Sequence, residues 1–168
     1  AREVAITQRG SDIVIALDIS NSMLAEDVPP NRMESAKGEL NSFLRRLENS
    51  RVGLVFFAGS AFVQCPLTLD YGTAEIFLRM AGPDMMSEQG TNIGAALKNA
   101  LEIARKDDRR SRKIFVLLSD GEDYGGEVNR QLAVYRQEGH HINSIGIGSD
   151  EEVPVPEMMP DGSETPLR

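Results

Sequence analysis

The chain has 168 residues, of which 40% are hydrophobic and 26% charged, as is typical of one folded globular domain rather than a disordered or fibrous chain. Its 26 acidic and 18 basic residues give a net charge of -8, the wrong sign for a protein that holds nucleic acid by its phosphates. The single cysteine excludes an internal disulfide framework, and every apolar run falls far short of the roughly 18 residues that a membrane-spanning helix needs.

From residue 11 onward, short apolar runs alternate with segments of helical period. This alternation predicts a three-layer, doubly wound α/β fold with a mostly parallel sheet. The predicted strands are Ile13–Leu17, Arg51–Ala58, Ala61–Leu67, Ile114–Leu118 and Ile142–Ile147. The predicted helices are Arg32–Glu48, Asp70–Ala81, Asn92–Ala104 and Val128–Glu138. Only Gly59 and Ser60 separate the second and third strands, so we expect a hairpin that makes the third strand an antiparallel edge.

The two ends of the chain differ from its middle. Residues 1–10 alternate weakly and are interpreted as an edge ribbon or a linker, and residues 11–150 as the domain. Residues 151–168 are rich in proline and have no helical or strand period, which predicts an irregular tail.

Oxygen-bearing side chains cluster where predicted elements meet loops. The first strand ends in Asp18, Ser20 and Ser22, Thr91 precedes the third helix, and Asp120 follows the fourth strand. If the first and fourth strands are neighbours, all of these loops reach the carboxyl edge of the sheet, where ligands bind in this class of fold.

The chemistry of these five side chains is that of hard oxygen donors. Two carboxylates and three hydroxyls, with no sulfur or imidazole, suit Mg²⁺ or Mn²⁺, and Ca²⁺ as a third choice. Because the hydroxyls are neutral, a bound ion would stay electrophilic enough to accept a carboxylate from another molecule. The alternative is that these residues are ordinary turn and helix-capping residues, as an isolated Asp-x-Ser-x-Ser usually is. The coincidence of three loops at one edge favours the metal site.

The same residues carry a family resemblance. Asp18-Ile-Ser20-Asn-Ser22, Thr91 and Ser119-Asp120-Gly121 resemble the metal-ion-dependent adhesion site, or MIDAS, of von Willebrand factor type A (vWA) domains. The element order matches that fold over residues 11–148. The segments LDISNSMLAEDVPPNRM and FAGSAFVQCPLTLDY further resemble the Bat-type proteins of bacterial aerotolerance operons.

The resemblance implies a divalent-metal, protein-binding module rather than an enzyme. Ser20, Ser22 and Thr91 or Asp120 would touch the ion directly, and Asp18 mainly through water. The partner would offer an Asp or Glu side chain. The residues assigned to a surrounding partner-binding rim are Asn21, Met23, Gly90, Asn92 and Glu122, with packing beneath the loop as the alternative for Met23.

The resemblance also implies a cellular setting. Bat-type domains are carried between membrane-spanning segments, so we expect the inner membrane of a bacterium, with the domain facing the periplasm. Expected partners include other vWA proteins and a MoxR-type AAA+ ATPase. The family fold continues to a sixth strand and a last helix that the tail does not offer, so we expect this chain to lack both.

Two rival functions remain. One is a metal-independent structural or adaptor domain with a vestigial site. The other, Mg²⁺-dependent phosphoryl transfer, is disfavoured because Ser20 stands where a phosphatase of the haloacid dehalogenase type needs a second aspartate. Serine hydrolysis lacks a Gly-x-Ser-x-Gly turn, and His140 and His141 precede the fifth strand, at the opposite pole.

Overall fold

A computed structural model describes residues 10–106, 111–121 and 126–148 of the chain. Within these residues the strands are β1 (Asp12–Asp18), β2 (Arg51–Phe57), β3 (Ala61–Thr68), β4 (Lys113–Ser119) and β5 (Ile142–Gly146). The helices are α1 (Arg32–Arg45), α2 (Tyr71–Met80), α3 (Ile93–Arg105) and α4 (Gly126–Gln137), with short 3-10 helices at Asn21–Leu24 and Pro83–Met85. The predicted tail (151–168), Glu122 and all but residue 10 of the predicted ribbon lie outside the described residues.

The five strands form one sheet in the order β3-β2-β1-β4-β5. β1 pairs in parallel with β2 and β4, β4 pairs in parallel with β5, and β3 runs antiparallel to β2. The predicted mostly parallel sheet with one antiparallel edge strand is therefore confirmed. β1 and β4 are neighbours, which is the condition on which the predicted site depended.

Both faces of the sheet are covered, and β1 shows this most clearly. Every residue of β1 is buried. Ile13, Ile15 and Leu17 join the core that contains residues of α1 and α2, whereas Val14 and Ala16 join the core that contains residues of α3 and α4. A strand in the middle layer needs apolar side chains at successive positions, as its sequence has.

The helix ends explain the small differences from the predicted boundaries. Asp70 and Asn92 were predicted as the first residues of helices, but each lies just outside as a cap whose side chain accepts a backbone N–H of the first turn. Helix α1 ends at Arg45, before the predicted Glu48, and its chain tightens there through a bond from the Leu47 N–H to the Leu44 carbonyl. Leu47 remains buried, which is why the apolar period extended past the helix.

The four α-helices of the described residues are 10 to 14 residues long. None of them combines the length and the apolar character that a bilayer-spanning helix requires.

Candidate metal centre

The candidate site lies at the carboxyl edge of the sheet, between β1 and β4. The chain leaves β1 through α1 toward β2 on one side, and it reaches β4 on the other side through α3. This reversal of strand order opens a crevice between the two strand ends. Asp18 ends β1, and Asp120 directly follows β4, so both carboxylates reach this crevice.

A chain of hydrogen bonds joins four of the five predicted ligands. The Ser20 N–H donates to Asp18 Oδ1 at 2.9 Å, and the hydroxyl oxygens of Ser20 and Ser22 are 2.9 Å apart. The Ser22 hydroxyl donates to Asp120 Oδ1 at 2.9 Å. These contacts bring together oxygens from two loops that are 98 residues apart in sequence. The predicted convergence of the loops after β1 and β4 is present in the structure.

Asp18 is the buried member of this set. Its Oδ2 accepts a hydrogen bond of 2.6 Å from the hydroxyl of Ser119, the last residue of β4. Burial raises the pKa of Asp18 to about 6, and the nearby Asp120 carboxylate adds to this effect, while the hydrogen bonds from Ser119 and Ser20 oppose it. A divalent ion would stabilise the charged form that burial disfavours.

Thr91 reaches the site from the loop before α3. A Cβ added to Gly121 would lie 3.0 Å from Thr91 Oγ1, so the Thr91 side chain packs directly against the residue after Asp120. The loop is fixed by backbone bonds to the β2–β3 turn: the Asn92 N–H donates to the Ala58 carbonyl, and the Gly59 N–H donates to the Glu88 carbonyl. All five predicted ligands are thus at one end of the sheet.

The rim residues are placed in different ways. Asn21 and Gly90 are exposed, and the Asn21 N–H donates to the Gln89 side chain across the crevice at 3.3 Å. Asn92 is half-buried, and its side chain caps α3. Met23 requires a correction, because its side chain is 0% exposed and belongs to the core. The short 3-10 helix turns Met23 inward and leaves Leu24 exposed at 49%.

Two residues that contact the ligands were missed by the sequence analysis. The hydroxyl of Ser119 binds Asp18, and the guanidinium of Arg32 donates from Nη1 to Asp120 Oδ2 at 3.0 Å. Ser119 stands beside Asp120 in the quoted motif, and its place at a strand end was a usable signal. Arg32 gave no such signal, because it is the first residue of a helix and lies 88 residues from Asp120 in sequence.

The donor set fits a hard divalent ion. The converging atoms are carboxylate and hydroxyl oxygens, and one carboxylate has a raised pKa because it is buried. Among the described residues no cluster of three or more His, Cys, Asp or Glu side chains is placed to hold a metal. That finding is compatible with the present set, since it contains only two carboxylates, and it argues against a thiolate or imidazole site elsewhere in those residues.

Residues 13–122 match the von Willebrand factor type A domain family, and the chain belongs to that family. Among solved structures it is similar to BatB from Bacteroides thetaiotaomicron, with 35% identity, coverage of 95% of this chain and 77% of that chain, and a TM-score of 0.79. An aerotolerance-related membrane protein from Bacteroides fragilis is also 35% identical, with coverage of 95% and 82% and a TM-score of 0.78. The resemblance inferred from the sequence motifs is therefore confirmed.

A more distant structure shares the fold. Proximal thread matrix protein 1 from the mussel byssus, in a form with a zinc-occupied MIDAS motif, is 23% identical, with coverage of 82% of this chain and 36% of that chain and a TM-score of 0.69. The chain spans only part of the curated relatives that it matches, from 15% to 43% of their length.

Proposed function

We propose that this domain binds a partner protein through a divalent ion held by Asp18, Ser20, Ser22, Thr91 and Asp120. The observation that carries the proposal is the hydrogen-bond chain from Asp18 through Ser20 and Ser22 to Asp120, because it gathers hard oxygens from two loops at one point. Thr91 adds a third hydroxyl from the loop before α3, and oxygen donors of these kinds suit a hard divalent ion.

The protein side chains have distinct tasks in this proposal. Asp18 is held by Ser119 and by the Ser20 N–H, and we expect it to act on the ion mainly through water. Ser20, Ser22 and Thr91 or Asp120 contribute oxygens directly, and Ser22 is the exposed member that faces an approaching partner. When bound, the ion supplies an electrophilic position for an Asp or Glu carboxylate of that partner.

The preferred ion is Mg²⁺ or Mn²⁺, with Ca²⁺ as the third candidate, because all donors are hard oxygens. Zinc is the competitor to test, since the byssus protein has a MIDAS motif occupied by zinc. Tight stoichiometric zinc binding to these residues would contradict the assignment of a hard-ion site.

The test is a calorimetric titration of the domain with each of these ions, together with thermal unfolding in chelator and in Mg²⁺. Binding to the folded state alone raises stability by about 2.7 kcal/mol when the ion is at roughly 100 times its Kd. Ser22→Ala should abolish this rise. Ser87→Ala is the matched control, because Ser87 is an exposed serine in the neighbouring loop. Equal rises in both variants would refute the ligand assignment.

A second function, a metal-independent adaptor, is favoured by one observation. The guanidinium of Arg32 gives Asp120 a positively charged partner from within the chain, so this carboxylate has a cation beside it without a metal ion. A pull-down of the partner with and without chelator separates the two functions, since an adaptor of this kind would bind equally in both.

Catalysis is not part of the proposal. Histidine is the most common general base in enzymes, and the five proposed ligands include none. His140 packs against Phe115 and Tyr135 before β5, at the amino edge of the sheet and therefore at the end opposite the site. The hydroxyls of Ser20 and Ser22 are hydrogen-bonded to each other, and that of Ser22 donates to Asp120, without an imidazole among these contacts. We expect the purified domain to turn over neither phosphate esters nor acyl esters.

We further propose a membrane setting for the complete protein. The support is the likeness to an aerotolerance-related membrane protein and the greater length of the curated relatives. Flanking segments would anchor the domain to the bacterial inner membrane, facing the periplasm, beside other vWA proteins and a MoxR-type AAA+ ATPase. Protease accessibility of the full-length protein in spheroplasts tests the orientation: cleavage of this domain only after the inner membrane is permeabilised would refute it.

A further inference from the structure

Arg32 links the candidate metal centre to helix α1. Its Nη1 donates to Asp120 Oδ2 at 3.0 Å, while its Nε and Nη2 both donate to the carboxylate of Asp27 at 2.7 Å. The Arg32 side chain is 9% exposed and that of Asp120 is 1% exposed. A planar guanidinium held by two parallel bonds has little freedom to turn away, so its contact with Asp120 is fixed in direction.

The start of α1 explains why Arg32 is held so firmly. Asn31 caps the helix by accepting the Glu34 N–H at 2.8 Å, and the Arg32 N–H donates to the Ala25 carbonyl at 2.9 Å. Ala25 lies three residues after Ser22, so the loop that carries Ser22 also holds the backbone of Arg32. The guanidinium belongs to the same local structure as the ligands after β1.

Asp120 divides its two oxygens between different partners. Oδ1 accepts from Ser22, on the side of the predicted ligands, and Oδ2 accepts from Arg32. A cation held by the ligand set would thus share one carboxylate with the guanidinium. Two cations on one carboxylate repel each other, and in a nearly buried setting this repulsion is less screened than in water.

We propose that Arg32 is a positioning residue that acts as the built-in counter-charge of Asp120. It keeps this ligand in place when no ion is bound, and by its charge it weakens the binding of divalent ions to the site. This inference rests on the proposed metal-binding function and adds a role that the ligand set does not include. The site then needs a higher ion concentration to become half-occupied than it would need with the five donors alone.

The experiment compares the wild-type domain with Arg32→Met and with the control Arg51→Met. Arg51 is a suitable match because it also pairs with a buried carboxylate, that of Asp12, at 2.7 Å, but at the opposite end of β1. Calorimetry gives the Kd for Mg²⁺, and thermal unfolding gives the Tm in chelator and in Mg²⁺.

Arg32→Met is expected to lower the Tm in chelator and to bind Mg²⁺ about tenfold more tightly than wild type, with a larger rise in Tm on adding the ion. Arg51→Met should also lower the Tm in chelator but leave the Kd unchanged. A purely structural role for Arg32 would make the two variants behave alike. If Arg32→Met does not fold, Arg32→Gln replaces it, since glutamine keeps a donor for Asp120 without the charge.

Each outcome decides between the inference and the proposed function. Mg²⁺ affinity that is equal to or weaker than that of wild type in the Arg32 variants overturns the inference and leaves the proposed function standing. Absence of Mg²⁺, Mn²⁺ and Ca²⁺ binding in wild type and in the Arg32 variants overturns the proposed function itself. Binding that appears only in the Arg32 variants supports the inference in its strongest form.

Discussion

The hydroxyl of Ser119 donates a 2.6 Å hydrogen bond to Asp18 Oδ2, and this bond ties the last residues of β4 and β1 together. The same Ser119 oxygen accepts the Gly121 N–H at 3.1 Å. One side chain therefore fixes both the buried carboxylate and the backbone turn that follows Asp120. Ser119 supports the candidate site without being one of its proposed ligands.

Ser119→Ala should destabilise the domain by about 1–2 kcal/mol, because it removes a donor from a buried carboxylate and an acceptor from a backbone N–H. Urea unfolding in chelator measures this loss. Ser144→Ala is the contrasting control, since the buried Ser144 hydroxyl has no hydrogen-bond partner within the described part of the chain. It should be neutral or stabilising, and equal losses in the two variants would contradict this account.

Gly121→Ala should weaken Mg²⁺ binding several-fold, because a ligand that shifts by a few tenths of an ångström departs from the near-ideal octahedral geometry that Mg²⁺ demands. An added Cβ would lie 3.0–3.3 Å from three side-chain atoms of Thr91, so this ligand would have to move. Calorimetry measures the change in Kd. Gly38→Ala, in α1, meets no atom within 4 Å and should raise stability by about 0.5–1 kcal/mol without changing the Kd. An unchanged Kd in Gly121→Ala would remove Thr91 from the ligand set.

Asp12 should control part of the acid stability. Burial acts to raise its pKa, but hydrogen bonds from Arg51, Lys113 and Ser111 lower the pKa from 3.8 to about 2. Since the folded-state pKa is the lower one, this carboxylate stabilises the fold fully above pH 3.8, and the stabilisation is lost as the pH falls toward 2.

Asp12→Asn tests this directly by urea unfolding at a series of pH values. As the pH falls from 3.8 toward 2, the difference in unfolding free energy between wild type and the variant should shrink by about 2 kcal/mol. The other carboxylates titrate in both proteins and cancel in the comparison. Parallel curves for the two proteins would show that the pKa of Asp12 is not lowered by folding.

The architecture could be predicted because its determinants are local in sequence. The run Ile13–Leu17 is apolar at each position, and the structure buries it on both faces of the sheet. The turn at Gly59 and Ser60 is too short for a crossover, so β3 had to be antiparallel. The ligand loops followed from the same pattern, since each lies at the end of a strand or the start of a helix.

The details that escaped the sequence analysis depend on single turns and distant contacts. A four-residue 3-10 helix has no detectable period, so the sequence left Met23 open between the rim and packing beneath the loop, and the structure buries it and turns Leu24 outward. The pairing of Arg32 with Asp120 joins residues 88 positions apart, and it depends on where the first residue of α1 lies relative to the loop after β4. Periodicity contains no information about such a contact.

The two ends of β1 are electrostatically separate. Asp12 and Asp18 are the first and last residues of the seven-residue strand β1, which places them about 20 Å apart. Both carboxylates are buried, so solvent ions screen the field between them only in part, and it is mainly the separation that weakens the field of one end at the other. A doubly charged ion arriving at the Asp18 pole would therefore leave the cations around Asp12 almost unaffected. At neutral pH the domain thus has one pole whose charge would change when an ion binds and another whose charge is set by ion pairs within the chain.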